Sequence, residues 1–234
     1  MNEHKTKDGR QRGRLLMLRH GQTAWSESGQ YTGRTNIPLT AVGEEQARAA
    51  GERLRAFGVF RGESLSPERI FVSPLVRAQT TARLAGFTEF RSEPGLMEFD
   101  YGPAEGRTRF EVAEALGVES WNVWDTGPLA LPASLRGERV EDVDGVGPMR
   151  VVSGVGESAE QAAERVTGVI QAALPALEAG EDVLCVAHAH ILRILTTVWL
   201  GLPVDCARHF KLDTAHFCVL GWHHADRVVM EWNV

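Results

Sequence analysis

Four apolar residues in a row, Leu15-Leu16-Met17-Leu18, break off into Arg19-His20-Gly21. A run this short and this apolar suits a strand buried on both faces, as in the middle of a parallel sheet. Gly21 lets the backbone turn sharply where the strand ends. The pattern recurs twice: Arg69-Ile70-Phe71-Val72 precedes Ser73-Pro74, and Asp182 to Ala187 delivers His188. Between these runs lie stretches with helical signals. Thr40 is an N-cap for a helix through Phe57, with Val42, Ala49, Leu54 and Phe57 turned inward. Ser73 as N-cap and Pro74 at the first helical position predict a helix from Leu75 to Leu84. A short strand near Phe90 and a modest helix over 108–116 follow. Ser158 with Gln161 forms a capping box opening a helix to about Leu177, and His190 to Leu200 reads as helical. Phe217–Trp222 and Arg227–Trp232 pair as a closing hairpin. Strands alternating with helices place the chain in the α/β class, as a three-layer α/β/α sandwich around a mostly parallel central sheet.

Composition narrows the functions such a fold can serve. The 234 residues, 43% apolar and 24% charged, suit one soluble domain. A formal charge of −6 argues against a general binder of nucleic acid or membrane surfaces. The apolar stretch from Ile191 to Val204 contains Arg193 and Pro203 and is too short to span a bilayer. The N-terminus lacks a signal-peptide core, and Cys185, Cys206 and Cys218 show neither pairing nor zinc-ligand spacing. Reduced buried thiols in a cytoplasmic protein are expected. Residues 1–14 are polar and read as a disordered tail, leaving 15–234 as a single domain. Within it, 126–155 carries many glycines and no clear period. The segment is expected to be an irregular insertion that covers the pocket as a lid, with Arg136, Arg139 and Arg150 available to a second phosphate or carboxylate.

In a parallel sheet the C-terminal ends of the strands lie along one edge, where open α/β sheets bind ligands. Arg19-His20, Ser73 with Arg77, and His188 all fall at such ends. A guanidinium forks onto phosphate oxygens, and a neutral imidazole nitrogen can attack phosphorus. Two arginines and two histidines around one point would form a pocket for a phosphate dianion. A metal site is not expected: His188 and His190 are two apart at a helix start and cannot face one ligand point, and His223-His224 reads as a hairpin turn.

These residues sit within longer blocks: Leu15 to Thr40, Ser73-Pro74-Leu75-Val76-Arg77 and on to Ala82, Leu96 to Gly106, Gly156-Glu157-Ser158, and Ala187-His188-Ala189-His190. In order and spacing the chain resembles the histidine phosphatase superfamily, which includes cofactor-dependent phosphoglycerate mutases, acid phosphatases and sugar-bisphosphatases. The resemblance implies a phosphoglycerate mutase-like fold and a metal-independent phosphatase with no cofactor, acting on small phosphorylated metabolites. His20 would be the nucleophile that becomes phosphohistidine. Arg19, Arg77 and His188 would clamp the phosphoryl oxygens. Glu98 would protonate the leaving alkoxide, holding its proton through burial or through Asp100 and Glu105 nearby. Gln22, Ser26, Thr32, Gly33, Tyr101 and Ala189 would meet the substrate. A homodimer is compatible with the sequence.

Three positions depart from the family pattern. Ala189 replaces the usual glycine, Ser26 replaces the asparagine of the mutases, and Arg34 replaces their tryptophan. The mutases' arginine-rich segment after the acid loop has no equivalent. The loop from Tyr31 to Thr40 and His190 resemble the phosphatase branches, so hydrolysis is favoured over mutase activity. A non-catalytic phospholigand-binding module is the reading from a different class; the presence of all five expected catalytic residues weighs against it.

Overall fold

The computed structural model describes residues 11–58 and 65–234. Six strands form the main sheet: β1 (Leu15–Arg19), β2 (Ile70–Val72), β3 (Arg91–Ser92), and, after a separate hairpin of β4 (Gly137–Val143) and β5 (Gly147–Ser153), β6 (Val183–Ala187), β7 (Phe217–His223) and β8 (Asp226–Glu231). Their order is β3-β2-β6-β1-β7-β8. Strands β3, β2, β6 and β1 run parallel, and the hairpin β7–β8 adds antiparallel strands at one side. The expected mostly parallel sheet is therefore present, with a mixed edge.

Period-two alternation along the central strands builds two cores. Leu15, Met17, Cys185 and Ala187 point to one face, against α5 (Ala159–Glu178) and α6 (Ala189–Leu200). Leu16, Leu18, Leu184 and Val186 point to the other, against α2 (Ala41–Ala56) and α3 (Val76–Leu84). Two shorter helices, α1 (Ala24–Ser28) and α4 (Arg109–Leu116), lie in the connections. Each central strand is buried from both sides, which is why its sequence is apolar without interruption.

Several local expectations hold and several do not. Thr40 caps α2, and Ser158 with Gln161 forms the capping box of α5. The inward face of α2, however, is Gly43, Ala47, Ala50, Gly51 and Leu54, while Val42 is half exposed. Small residues win that face because the chain after β1 packs on it backbone to backbone. A Cβ at Gly43 would lie 2.1 Å from the Gln22 carbonyl oxygen, and one at Gly21 would lie 2.2 Å from that of Gly43. Helix α3 starts later than Ser73 suggests. Its N-cap is Leu75, and the Val76 N–H is capped from a distance by Asn36 Oδ1 at 2.7 Å. The Ser73 hydroxyl is thereby available to His188.

The segment 126–155 is not irregular. It holds two 3-10 turns and the β4–β5 ladder, whose Val143 and Val151 pack on Trp25 and Ile37. Of the tail, residues 1–10 lie outside the described residues, but Gly13 and Arg14 are packed against the body. Gly13 donates to Leu177 O at 2.7 Å, and the Arg14 guanidinium pairs with Asp182 at 2.6 Å. Cys185 and Cys218 are buried free thiols, whereas Cys206 is only partly buried. No helix among the described residues is long and apolar enough to cross a membrane.

Two glycine-to-alanine changes separate backbone packing from helix propensity. Gly168→Ala, in α5 with open space around it, should raise stability by about 0.5–1 kcal/mol. Gly43→Ala gains the same propensity but forces the α2 contact apart, and should lower stability by a net ~1–3 kcal/mol. Urea unfolding midpoints check both. Equal shifts in the two variants would show that the contact at Gly43 is slack.

Candidate active site

The order β2-β6-β1 brings three strand ends together, and the ladder runs one residue past each. His20 N donates to Ala187 O at 2.9 Å, and Ser73 N donates to Val186 O at 3.0 Å. His20 and His188 consequently meet with ring centroids 5.0 Å apart. His20 is nearly buried at 4% exposure, and its Nδ1 lies 2.7 Å from the Gly21 carbonyl oxygen. A carbonyl accepts only, so Nδ1 carries the proton and Nε2 is the unprotonated nitrogen. The carbonyl of His20 itself accepts from Ala215, which holds a φ of +56°, rare for a residue other than glycine.

Arg77 and His188 form a closed layer beside this ring. Both are fully buried. Arg77 donates from Nε to His188 Nδ1 at 3.1 Å, from one terminal nitrogen to Thr35 O at 2.9 Å, and from the other to Thr32 O and Gly33 O at 3.0 and 2.9 Å. Since His188 Nδ1 accepts, its Nε2 carries the proton and donates to Ser73 Oγ at 2.8 Å. Both ring nitrogens of His188 are thus engaged within the protein. Burial is the largest cause, and the charges of Arg77 and Arg19 add to it, in holding His20 well below the usual histidine range. Burial leads again for His188, reinforced by Arg77. Both rings are neutral at neutral pH.

A cleft of about 450 Å³ opens in front of His20, lined by Arg19, Glu98, Ser26, Thr32, Tyr101 and Ala189 among others. Arg19 donates to Leu212 O at 2.6 Å, and its Nε finds no partner among the described residues. Glu98 accepts from the backbone N–H of Phe99, Ile191 and His190 at 2.8, 3.0 and 3.2 Å, so it caps the N-terminal turn of α6. Arg165 from α5 fixes the loop that carries it, donating to the carbonyls of Gly95, Met97 and Glu98.

Neither expected acidic neighbour supports Glu98. Asp100 pairs with Arg34 at 3.4 Å. Glu105 accepts from Gly33 N and Thr35 N, and burial pushes its carboxyl up.

Of the residues expected to meet a substrate, Ser26, Thr32, Tyr101 and Ala189 line the cleft, and Gln22 and Gly33 do not. Gln22 Oε1 accepts from the Thr40 hydroxyl, so that side chain supports the start of α2. The Gly33 N–H is taken by Glu105. Ala189 is the first residue of α6 and is not among the positive-φ residues, so the position makes no demand for glycine. Three further features of the cleft were not foreseen. Tyr31 stands on its wall, the Tyr101 hydroxyl meets His190 Nδ1 at 2.7 Å, and Arg193, Arg208 and Lys211 sit around its mouth. Arg193 falls three residues after His190 on α6, a spacing that puts both on one helix face and was legible in the sequence. Residues 126–155 do not line this cleft: Arg150 pairs with Glu138, and Arg139 binds Glu141, Ser153 and the Glu105 carbonyl. No cluster of three or more His, Cys, Asp or Glu suited to a metal occurs among the described residues.

The family model described as histidine phosphatase superfamily (branch 1) matches residues 15–145 and 146–234. An acid phosphatase of Mycobacterium tuberculosis is 34% identical over 215 residues, covering 92% of this chain and 89% of that protein. A 2,3-bisphosphoglycerate-dependent phosphoglycerate mutase of Bifidobacterium longum is 31% identical over 213 residues, covering 86% and 83%. The solved structure of a Mycobacterium tuberculosis open reading frame superposes with a TM-score of 0.75 at 32% identity, covering 95% of this chain and 97% of that one.

The neutral rings make stability depend on pH. Burial also leads in holding His190 well below the usual range. The folded protein keeps all three histidines unprotonated, while an unfolded histidine takes up a proton near pH 6.5. Stability should be full above that pH and fall below it by up to ~1.4 kcal/mol per pH unit for each ring. Unfolding free energies from urea titrations at pH 7.5 and 5.5 should differ by roughly 2–4 kcal/mol in favour of the higher pH. Identical free energies would mean that the rings take up protons in the folded state as readily as in the unfolded one.

Proposed function

Because the chain belongs to the histidine phosphatase superfamily, we propose that it hydrolyses small phosphomonoesters through a phosphohistidine at His20. The observation that carries this reading is the committed tautomer. Nδ1 donates to the Gly21 carbonyl, which leaves Nε2 as the basic nitrogen in a ring held neutral beside Arg19 and Arg77. A neutral imidazole amid fixed positive charge suits attack on a phosphorus whose oxygens carry the negative charge. Loose phosphoryl transfer asks little covalent help of a protein, and positioning with charge stabilisation supplies most of the rate.

Arg19 has unpartnered N–H capacity and lines the cleft, so it is the group for the phosphoryl oxygens. Arg77 and His188 act chiefly from behind, as charge and scaffold. This shifts them from the direct clamp that the family likeness implies. Glu98 is the proton donor to the leaving alkoxide. Its present contacts are all N–H donors. Hydrolysis rather than mutase activity is supported by the acid phosphatase likeness and by the missing arginine-rich segment. The substrate is a small phosphorylated metabolite of the cytoplasm.

His20→Ala should lose phosphate release by several orders of magnitude, and acid-labile phosphate trapped by quenching the wild type should vanish with it. Activity retained above about 1% would remove the covalent route. Glu98→Gln should slow sugar phosphates roughly 10²–10⁴-fold, and p-nitrophenyl phosphate, whose leaving group needs no proton, far less. A thermal melt of the same variant reports the lost helix cap separately. Equal losses on both substrates would place the acid elsewhere.

A further inference from the structure

Arg19 is held in place from outside its own strand. It donates from one terminal nitrogen to the Leu212 carbonyl at 2.6 Å, and its backbone N–H donates to His216 O at 3.1 Å. The next carbonyl, that of His20, accepts from Ala215 N at 3.0 Å. The turn 212–216 thus grips both neighbours at three points. With one terminal nitrogen tied down, the plane of the guanidinium follows the position of Leu212 O. Burial pushes Arg19 down from the ordinary arginine range, and Glu98, Tyr101 and Asp213, in that order, oppose the shift.

What fixes Leu212 comes from the residues after β8. Trp232 donates from its indole nitrogen to the carbonyl of Lys211, one residue before Leu212. Asn233 takes the residue after it: its Oδ1 accepts from Asp213 N at 2.8 Å, and its Nδ2 donates to the Asp213 carboxylate at 2.9 Å. Leu212 is therefore pinned on both sides. The second pin reads a backbone N–H and a carboxylate together, which needs an acceptor and a donor side by side; a carboxamide offers both, and a carboxylate or an alkyl group does not. Asn233 holds a φ of +58°, a left-handed backbone that asparagine tolerates better than most residues. Its own N–H meets Cys218 Sγ at 3.4 Å, and Val234 exchanges backbone bonds with Phe217 at 3.0 and 3.2 Å, which keeps this pair against β7. The bond from Asn233 leads in drawing the Asp213 carboxyl below its usual range, with Lys211 next. At the far end of the turn, Arg53 of α2 donates to Ala215 O at 2.6 Å. Left-handed backbone at a buried alanine is costly and persists where surrounding bonds over-determine it, as they do at Ala215.

Resting on the phosphatase reading above, we propose that Asn233 is a positioning residue for phosphoryl transfer. Leu212 and Asp213 line the cleft and Asn233 does not, so it acts through them, setting the plane in which Arg19 meets the phosphoryl oxygens. A fork held at one corner loses its aim when that corner drifts, and a misplacement of about 1 Å can cost ~10²-fold in rate.

The test is a double-mutant cycle on p-nitrophenyl phosphate hydrolysis. It crosses Asn233→Ala with Arg19→Gln, each variant being assayed well below its melting temperature. With Arg19 present, Asn233→Ala should lower kcat/KM by about 10–100-fold. In the Arg19→Gln background the same change should cost less than about threefold, since the group it aims is gone. Equal losses in the two backgrounds overturn the role and leave Asn233 serving the fold alone. Wild-type kcat/KM in either single variant overturns it as well. If Asn233→Ala does not fold, Asn233→Asp goes through the same cycle and decides by the same outcomes. That variant keeps the acceptor for the Asp213 N–H and sets carboxylate against carboxylate. A wild type that releases no phosphate from p-nitrophenyl phosphate overturns the hydrolytic reading, and the positioning role with it. Additive losses in an active enzyme overturn the positioning role alone.

Discussion

Everything at the sheet's active edge leans on one buried guanidinium. Arg77 has no exposure, and four N–H contacts tie together segments that are far apart in sequence: the 32–35 loop, helix α3 and the end of β6. Burying a charge this deeply is costly unless its donors are met. Here carbonyl oxygens and a histidine nitrogen meet them, with the charges of Glu98 and Glu105 helping to keep the group protonated although burial lowers it to about 10. A lysine could not serve, because three carbonyls and a ring nitrogen around one plane require the guanidinium fork.

This arrangement divides the site into two layers with different physics. The inner layer, made of Arg77, His188, Ser73 and Glu105, is closed on itself and satisfied by the protein. The outer layer, made of Arg19, His20, Glu98 and Arg193, faces the cleft. The inner layer sets the shape and the positive potential. Because it is already complete, it has no rearrangement to undergo when a ligand arrives, and fixed dipoles and charges of this kind act most strongly where water is excluded.

Much of this was legible in the sequence, for reasons that differ from residue to residue. Strands β1, β2 and β6 announced themselves because a strand buried on both faces must be apolar throughout, and the polar residues at their ends had nowhere to be except the sheet's edge. Thr40 and Ser158 were readable as caps because capping is local chemistry. Ser73 was misread because its competitor was not local: His188, 115 residues away, takes the hydroxyl, and Asn36 caps the helix in its place. Gln22 and Gly33 stand outside the cleft lining for a related reason. Loop polar groups suit a ligand and suit a neighbouring segment equally well, and only the packing of Thr40 and Glu105 decides between them. The face of α2 was misjudged because apolar character points inward only where side chains, rather than backbones, make the contact. The cations of α6 and of the turn after it carry no such signal, because they lie on a helix and its following turn rather than at the end of a strand.

The β4–β5 hairpin has a consequence of a different kind. Its ladder is complete from Gly137 to Ser153, Arg150 pairs with Glu138 across the strands, and Val143 and Val151, with Met149 beside them, pack on Trp25 and Ile37. It braces the outer side of the Trp25 wall and leaves the cleft itself alone. Its tip at Asp144-Gly145-Val146 is exposed, held by the turn's own Val146 to Val143 bond. A loop with this placement adds little closure entropy per residue gained. The tip is thus where the polypeptide has room to lengthen, carry a tag or accept a graft while the chemistry proceeds undisturbed on the other side of an indole ring.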